Sequence, residues 1–285
     1  LSIIMIISLL PSSAFAAEVD NLRNFTKRNT YANDTFDDVQ KDDWFYENVK
    51  SVYEHGLMQG KGGKRFDTES GITIAETLTI AARLHSIYYT GSDEFTPSNP
   101  WYQVYADYCT DNGIASANSK TYAQPASRAE FAMILVNALP TEVFGEINKV
   151  ADDAIPDVKI SDACGTEVYK MYRAGIMIGN DDIGTFAPSS EIRRSEVAAI
   201  VTRMVDVSLR EAVQLGNEYT VTFDINGHGK QIAIQTVVEG YTVEKPADPA
   251  ETAYIFKGWY TQKSGGKQFD FNTPITEDIT LYAHW

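Results

Sequence analysis

Pro125-Ala126-Ser127-Arg128-Ala129-Glu130-Phe131 is the stretch on which the fold turns. Ser127 and Glu130 stand three apart ahead of the apolar run Met133-Ile134-Leu135-Val136, the spacing at which a hydroxyl and a carboxylate satisfy each other's backbone donors at a helix start. Thr73-Ile74-Ala75-Glu76 repeats the arrangement ahead of Leu78, Ile80, Ala81, Leu84 and Ile87, and Ile192-Arg193-Arg194-Ser195-Glu196-Val197 repeats it in altered form. These starts lie roughly 55 to 65 residues apart, longer than common solenoid periods.

A second helix is predicted upstream of each start. In the first copy Phe36-Asp37-Asp38-Val39 leads to Asp43-Trp44-Phe45-Tyr46, then Val49, Val52, Tyr53 and Leu57 keep helical spacing until Gly56 and Gly60 break it. The second copy runs through Trp101-Tyr102, Tyr105 and Tyr108 to Gly113-Ile114, and the third through Ile155-Pro156-Asp157-Val158 and Val168-Tyr169 to Gly179 and Gly184-Thr185-Phe186-Ala187-Pro188. Two helices and a glycine loop are too small to bury a core alone, so the copies are expected to pack on one another.

Residues 36 to 207 resemble the S-layer homology family, with its Phe-x-Asp-Val start, Trp-Tyr helix, Gly-rich Phe-x-Pro loop and Thr-Arg-Ala-Glu helix start. The resemblance implies an all-α, pseudo-threefold bundle of three lobes, in copies over 36–90, 91–145 and 146–207. Its implied ligand is secondary cell-wall polysaccharide in the peptidoglycan-associated envelope, frequently carrying a pyruvate ketal. A ketal carboxylate needs charge-assisted donors, and Arg128 and Arg194 sit at helix N-termini where backbone donors are expected to stay free. Glu130 and Glu196 fix those first turns, and Trp44, Trp101, Gly60 and Gly179 complete the candidate ligand set. Each tryptophan has two readings, a sugar platform or core filling, and core is favoured. Gly60 and Gly179 are expected to supply positive φ, and Asp37, Asp38 and Asp157 to serve helix N-termini.

Departures from the pattern matter equally. Ile74 stands where the first copy should carry its arginine, with Lys64 or Arg65 as loop substitutes; Arg193 replaces the capping threonine of the third copy; the second copy lacks a visible Asp-Val start and Gly-Thr-Phe-x-Pro loop.

After a helical tail and hinge over 208–217 the period changes from helix to strand. Tyr219-Thr220-Val221-Thr222-Phe223-Asp224 alternates, Asn226-Gly227 turns, and Ile232, Ile234, Thr236 and Val238 resume the alternation. Phe256-Lys257-Gly258-Trp259-Tyr260 and Leu281-Tyr282-Ala283-His284-Trp285 follow. Residues 218–285 resemble the Listeria-Bacteroides, or internalin-type, repeat, which implies a small β-rich, β-grasp-like module serving as stalk, spacer or contact domain. Phe223, Phe256, Trp259, Tyr282 and Trp285 are expected in its thin core, with a carbohydrate platform of Trp259 and Tyr260 as the sharper alternative.

The chain is therefore expected to be multidomain and to anchor a surface module to the cell wall without covalent chemistry. The alternative is an adhesin or structural spacer whose β module makes the contact. The net charge of −15 argues against nucleic acid, whose phosphates demand a basic face. His55, His85, His228 and His284 stand apart from metal-ligand spacing, and neither a phosphate loop nor a nucleophile elbow occurs, so neither an enzyme nor a cofactor is expected. The apolar run from Leu1 to Leu10 followed by Ala14-Phe15-Ala16 reads as a signal peptide over 1–16, with an extension over 17–35, giving a secreted protein with no membrane span after cleavage. Cys109 and Cys164 read as small buried thiols.

Overall fold

A computed structural model describes residues 20–116 and 122–285; the expected leader lies outside the described residues. Among the described residues six α-helices precede a four-stranded sheet. The helices are α1 (Tyr46–Glu54), α2 (Ile74–Thr90), α3 (Gln103–Asp111), α4 (Arg128–Asn137), α5 (Gly165–Arg173) and α6 (Arg194–Val205). Contacts pair them across copies: α1 lies on α6, α3 on α2 and α5 on α4. The first helix of each expected copy thus covers the apolar face of the preceding copy's second helix, and a single core runs through all of them. The N-terminal extension joins it, through Phe25 in the core and Asn24 Nδ2 donating to Tyr88 O.

The helix starts are tied together at the centre. Ile72 N–H donates to Ile192 O at 3.1 Å, Ile192 N–H to Ala126 O at 3.4 Å and Ala126 N–H to Ile72 O at 2.7 Å, which closes a ring of buried backbone. Each ring residue immediately precedes a helix N-cap: Thr73, Ser127 and Arg193. The first two amides of each helix then reach into another copy's loop. Ile74 and Ala75 donate to Gln124 O and Tyr122 O, Arg128 and Ala129 to Ser190 O and Pro188 O, and Arg194 and Ser195 to Ser70 O and Thr68 O. Capping boxes at Thr73/Glu76 and Ser127/Glu130 occupy the next donors. At α6 only half of the box forms, with Arg193 N–H donating to Glu196 Oε2 at 3.0 Å, because the Arg193 side chain has no acceptor.

The loops before α2 and α6 are held by the aspartates of the Asp-Val starts. Asp38 accepts from the amides of Phe66 and Asp67 at 2.8 and 2.7 Å, and Asp157 from those of Phe186 and Ala187 at 2.9 and 2.7 Å. These carboxylates fix loops rather than serving helix N-termini. They stabilise Asp67 and Ala187 at φ +66 and +58, conformations that are costly for residues with a Cβ.

The expected helical tail after α6 is a single 3-10 turn, Val207–Leu209, followed by extended chain. That chain is pinned: Glu211 N–H donates to Gly175 O, Val213 N–H to Asn148 Oδ1, and Leu215 O accepts from Ala151 N–H. The sheet comprises β1 (Glu218–Asp224), β2 (Gln235–Val238), β3 (Gly258–Tyr260) and β4 (Ile279–His284) in the order β2-β1-β4-β3, with a parallel central pair and antiparallel edges. Val221, Phe223, Trp259, Leu281 and Ala283 face a second, separate core. Tyr241 bridges the two parts, its hydroxyl accepting from Val150 N–H at 3.0 Å. Cys109 and Cys164 are free buried thiols, and burial pushes Cys109 up to about 12. Among the described residues no helix is long and apolar enough to cross a membrane.

Candidate ligand grooves

Between the start of α4 and the flank of α6 lies a cavity of about 530 Å³, lined by Arg128, Gly179, Asn180, Glu196, Ile200 and Arg203 with Trp44 at its rim. Arg128 is only 4% exposed. Its Nε donates to Phe186 O and its Nη1 to Glu196 Oε1, both at 2.7 Å, and its guanidinium lies 5.4 Å from the Phe186 ring centre. Arg128, at the start of α4, therefore braces the loop before α6.

A second cavity, of about 220 Å³, is built the same way beside the starts of α6 and α2. Arg194 stacks 4.8 Å from the Phe66 ring centre and donates through Nε to Phe66 O, through Nη1 to Glu76 Oε1 and through Nη2 to Gln59 O. Gly60, Lys61, Ile80, Arg83 and Trp101 complete its lining. Both arginines are thus buried braces as well as groove residues, a bracing role that the sequence reading of them as carboxylate donors did not include. The backbone donors expected to stay free are also taken, since Arg128, Ala129, Arg194 and Ser195 donate their amides to loop carbonyls. What remains for a ligand is the guanidinium itself: of five N–H donors, Arg128 commits two and Arg194 three.

Trp44 and Trp101 are 64% and 54% exposed, which corrects the preference for core. Each ends a groove because it immediately precedes the N-cap of a helix packed on the neighbouring copy's second helix. The glycines divide: Gly179 has φ +91, whereas Gly60 is needed for close approach, since a Cβ there would lie 2.5 Å from the Phe36 ring.

Arg83 and Arg203 were missed in the sequence. Each stands nine residues beyond the first residue of its helix, in α2 and α6, and that shared offset was the available signal. Arg83 Nε is buried without a partner, and its Nη atoms reach Leu57 O and Tyr105 Oη only at 3.5 Å. Arg203 instead pairs with Glu211 from the chain that follows α6.

Where the starts of α2 and α4 meet, the glutamate is kept but both arginines and the tryptophan are absent. Ile74 replaces the N-terminal arginine, Asn137 the arginine nine residues on, and Ala163 the tryptophan before the N-cap. Among the described residues Glu130 has no arginine partner there and accepts from Ser127, and it lines an apolar cleft of about 160 Å³ with Ile74, Tyr122, Met133 and Ile134. Lys64 and Arg65 cannot substitute for Ile74. Lys64 pairs with Asp34, Arg65 lies near Asp38 and Asp67, and both border a different cavity.

In the β module Trp259 is 1% exposed, while Tyr260 stacks on the His284 ring at 3.9 Å. Adjacent strand residues point to opposite faces, so the two rings cannot share one platform.

The S-layer homology domain model matches residues 35–77 and 154–198, the segments that carry α1 with the start of α2 and α5 with the start of α6. The Listeria-Bacteroides repeat domain model matches residues 219–284. The chain thus carries segments similar to S-layer homology domains and, after them, one similar to the Listeria-Bacteroides repeat. It is 24% identical over 202 residues, 66% of its length, to the Surface-layer 125 kDa protein of Lysinibacillus sphaericus, and 41% identical over 73 residues, 25% of its length, to Internalin H of Listeria monocytogenes. It spans 17% of the first relative's length and 13% of the second's. Residues 91–145 lie outside the segments matched by either family model, consistent with the loop and Asp-Val motifs missing there.

Proposed function

We propose that the helical part is a pseudo-threefold set of three S-layer homology repeats that attaches the chain to the cell wall, with no catalysis, and displays a β-grasp-like module. The threefold reading is supported by the central hydrogen-bond ring and by equivalent amide-to-loop bonds at all three helix starts, including the start of α4. The β-grasp-like reading rests on the parallel β1–β4 pair.

The observation that carries attachment is the recurrence of one side-chain set in two places: a buried arginine stacked on a loop phenylalanine, a glutamate at the third position of a facing helix, a second arginine nine residues beyond the first residue of that facing helix, and an exposed tryptophan. An acidic chain offers few places for an anionic polymer, and these are built ones. Arg194, Arg83 and Lys61 against Glu76 leave the smaller groove cationic, while Glu211 offsets Arg203 beside the larger one. A carboxylate such as a pyruvate ketal would take the uncommitted guanidinium donors while its sugar ring lies against the indole. One charge-assisted contact of this kind contributes about 1.5–3 kcal/mol, so two grooves on one polymer-coated wall would act through avidity.

Sedimentation with purified walls, before and after mild acid removal of pyruvate, tests the ligand. Binding should fall sharply on treated walls; unchanged binding would remove the ketal from the proposal. The contact-module alternative draws support from Tyr254 and Ile255, which are 49% and 81% exposed. It predicts that residues 218–285 alone retain a surface partner.

A further inference from the structure

Given the two grooves as the attachment sites, we infer that they divide the polymer between them: the smaller takes an acidic sugar unit, and Glu211 keeps such units out of the larger, which takes uncharged ones. The second arginine is held alike in both. Arg83 Nη1 donates to Leu57 O at 3.5 Å and Arg203 Nη1 to Ile176 O at 3.2 Å, and each carbonyl follows a glycine of positive φ, Gly56 at +74 or Gly175 at +69. Their Nη2 atoms part company. On Arg83 it reaches the Tyr105 hydroxyl at 3.5 Å, with the ring centre 5.6 Å from the guanidinium carbon, and among the described residues no carboxylate pairs with it. On Arg203 it donates to Glu211.

The backbone delivers Glu211 to this place. Its N–H donates to Gly175 O at 2.9 Å and its carbonyl accepts from Asn148 Nδ2 at 3.0 Å, so the chain leaving α6 for the β module sets this carboxylate against Arg203. Every cation of the larger groove then has a carboxylate: Arg128 has Glu196, Arg203 has Glu211 and Arg193 has Glu69 at 3.1 Å, while Glu191 adds a further negative charge to the lining. The smaller groove sets Lys61, Arg83 and Arg194 against Glu76 alone. A carboxylate entering the smaller groove meets surplus positive charge. One entering the larger must displace Glu211 or lie beside it, and like charges held close select against that ligand. Uncharged sugar hydroxyls meet no such repulsion, and the larger groove gives them room, at about 530 Å³ against about 220 Å³.

The full chain labelled with 15N-tryptophan reports the two grooves separately, because Trp44 lines the larger and Trp101 the smaller. Their indole resonances are assigned with Trp44→Phe and Trp101→Phe. The probes are the pyruvate ketal of methyl glucoside and its neutral methyl ester, which differ by one charge. The acid should titrate Trp101 with about tenfold higher affinity than Trp44, and the ester should lose that preference. Glu211→Gln keeps an acceptor for Arg203 and removes only the charge. It should raise the acid's affinity at Trp44 about fivefold, leaving Trp101 and the ester titrations unchanged. Arg83→Gln should lower the acid's affinity at Trp101 to that of the ester. Equal acid affinity at the two indoles, or no gain at Trp44 in a folded Glu211→Gln chain, would overturn the division and leave wall attachment standing. No saturable shift of either indole by acid or ester would overturn the division together with the groove reading on which it rests.

Discussion

Arg194→Ala would remove three hydrogen bonds and a stacking contact from a side chain that is 4% exposed, leaving the Phe66 and Gln59 carbonyls unmet and Glu76 with Lys61 at 3.5 Å as its remaining cation. Breaking a buried pair in this way costs about 3–5 kcal/mol, so a thermal melt should fall steeply, and Arg128→Ala should behave alike through Phe186 O and Glu196. Loss of wall binding in these variants would therefore confound ligand contact with folding. Trp44→Ala and Trp101→Ala avoid the problem: both indoles are more than half exposed, and their melts should move by no more than about 0.5 kcal/mol in stability. His85 offers a pH test. Its Nδ1 lies 2.9 Å from Tyr108 Oη, and burial lowers its pKa. The unfolded chain then binds the proton more readily than the folded one, so stability is full above the ordinary histidine value of about 6.5 and is lost as pH falls below it. His85→Gln should flatten that slope in melts taken from neutral to mildly acidic pH.

At the scale of single elements, the loops before α2 and α6 depend on one carboxylate each. Asp157→Asn leaves one amide of the Phe186–Ala187 pair facing an NH₂ group, a loss of about 1–3 kcal/mol that hydrogen exchange should register at those two amides before the rest of α6. The capping boxes at Thr73/Glu76 and Ser127/Glu130 were legible in the sequence because their partners are three residues apart. So was the change from helical to strand period at Tyr219. The roles of Asp38 and Asp157 were not, because their partners lie 28 to 30 residues away in loops whose path no local pattern specifies. Trp44 and Trp101 were misjudged for a related reason. Side-chain hydrophobicity favours burial, but which face of a first helix is covered depends on the neighbouring copy, and both indoles fall at its margin.

For the whole molecule, each arginine brace runs between segments far apart in the chain, so the loop that an arginine serves is set by the interlock and not by its sequence neighbours. That is why Ile74 does not disable the loop before α2, which Arg194 at the start of α6 serves instead. The junction to the β module is similarly specific. Tyr241 meets Val150 through its hydroxyl, and Gly216, at φ +119, would place a Cβ 2.9 Å from that of Ala151. Gly216→Val should loosen the junction, seen in 15N relaxation as separate tumbling of the two parts where the parent chain tumbles as one. The attachment proposal itself is tested most directly by co-sedimentation of the Trp44→Ala/Trp101→Ala chain with untreated walls, beside a melt showing the fold intact. The two-groove reading predicts at least a tenfold loss of wall affinity with an unchanged melt; full retention of wall binding by that intact double variant would contradict it.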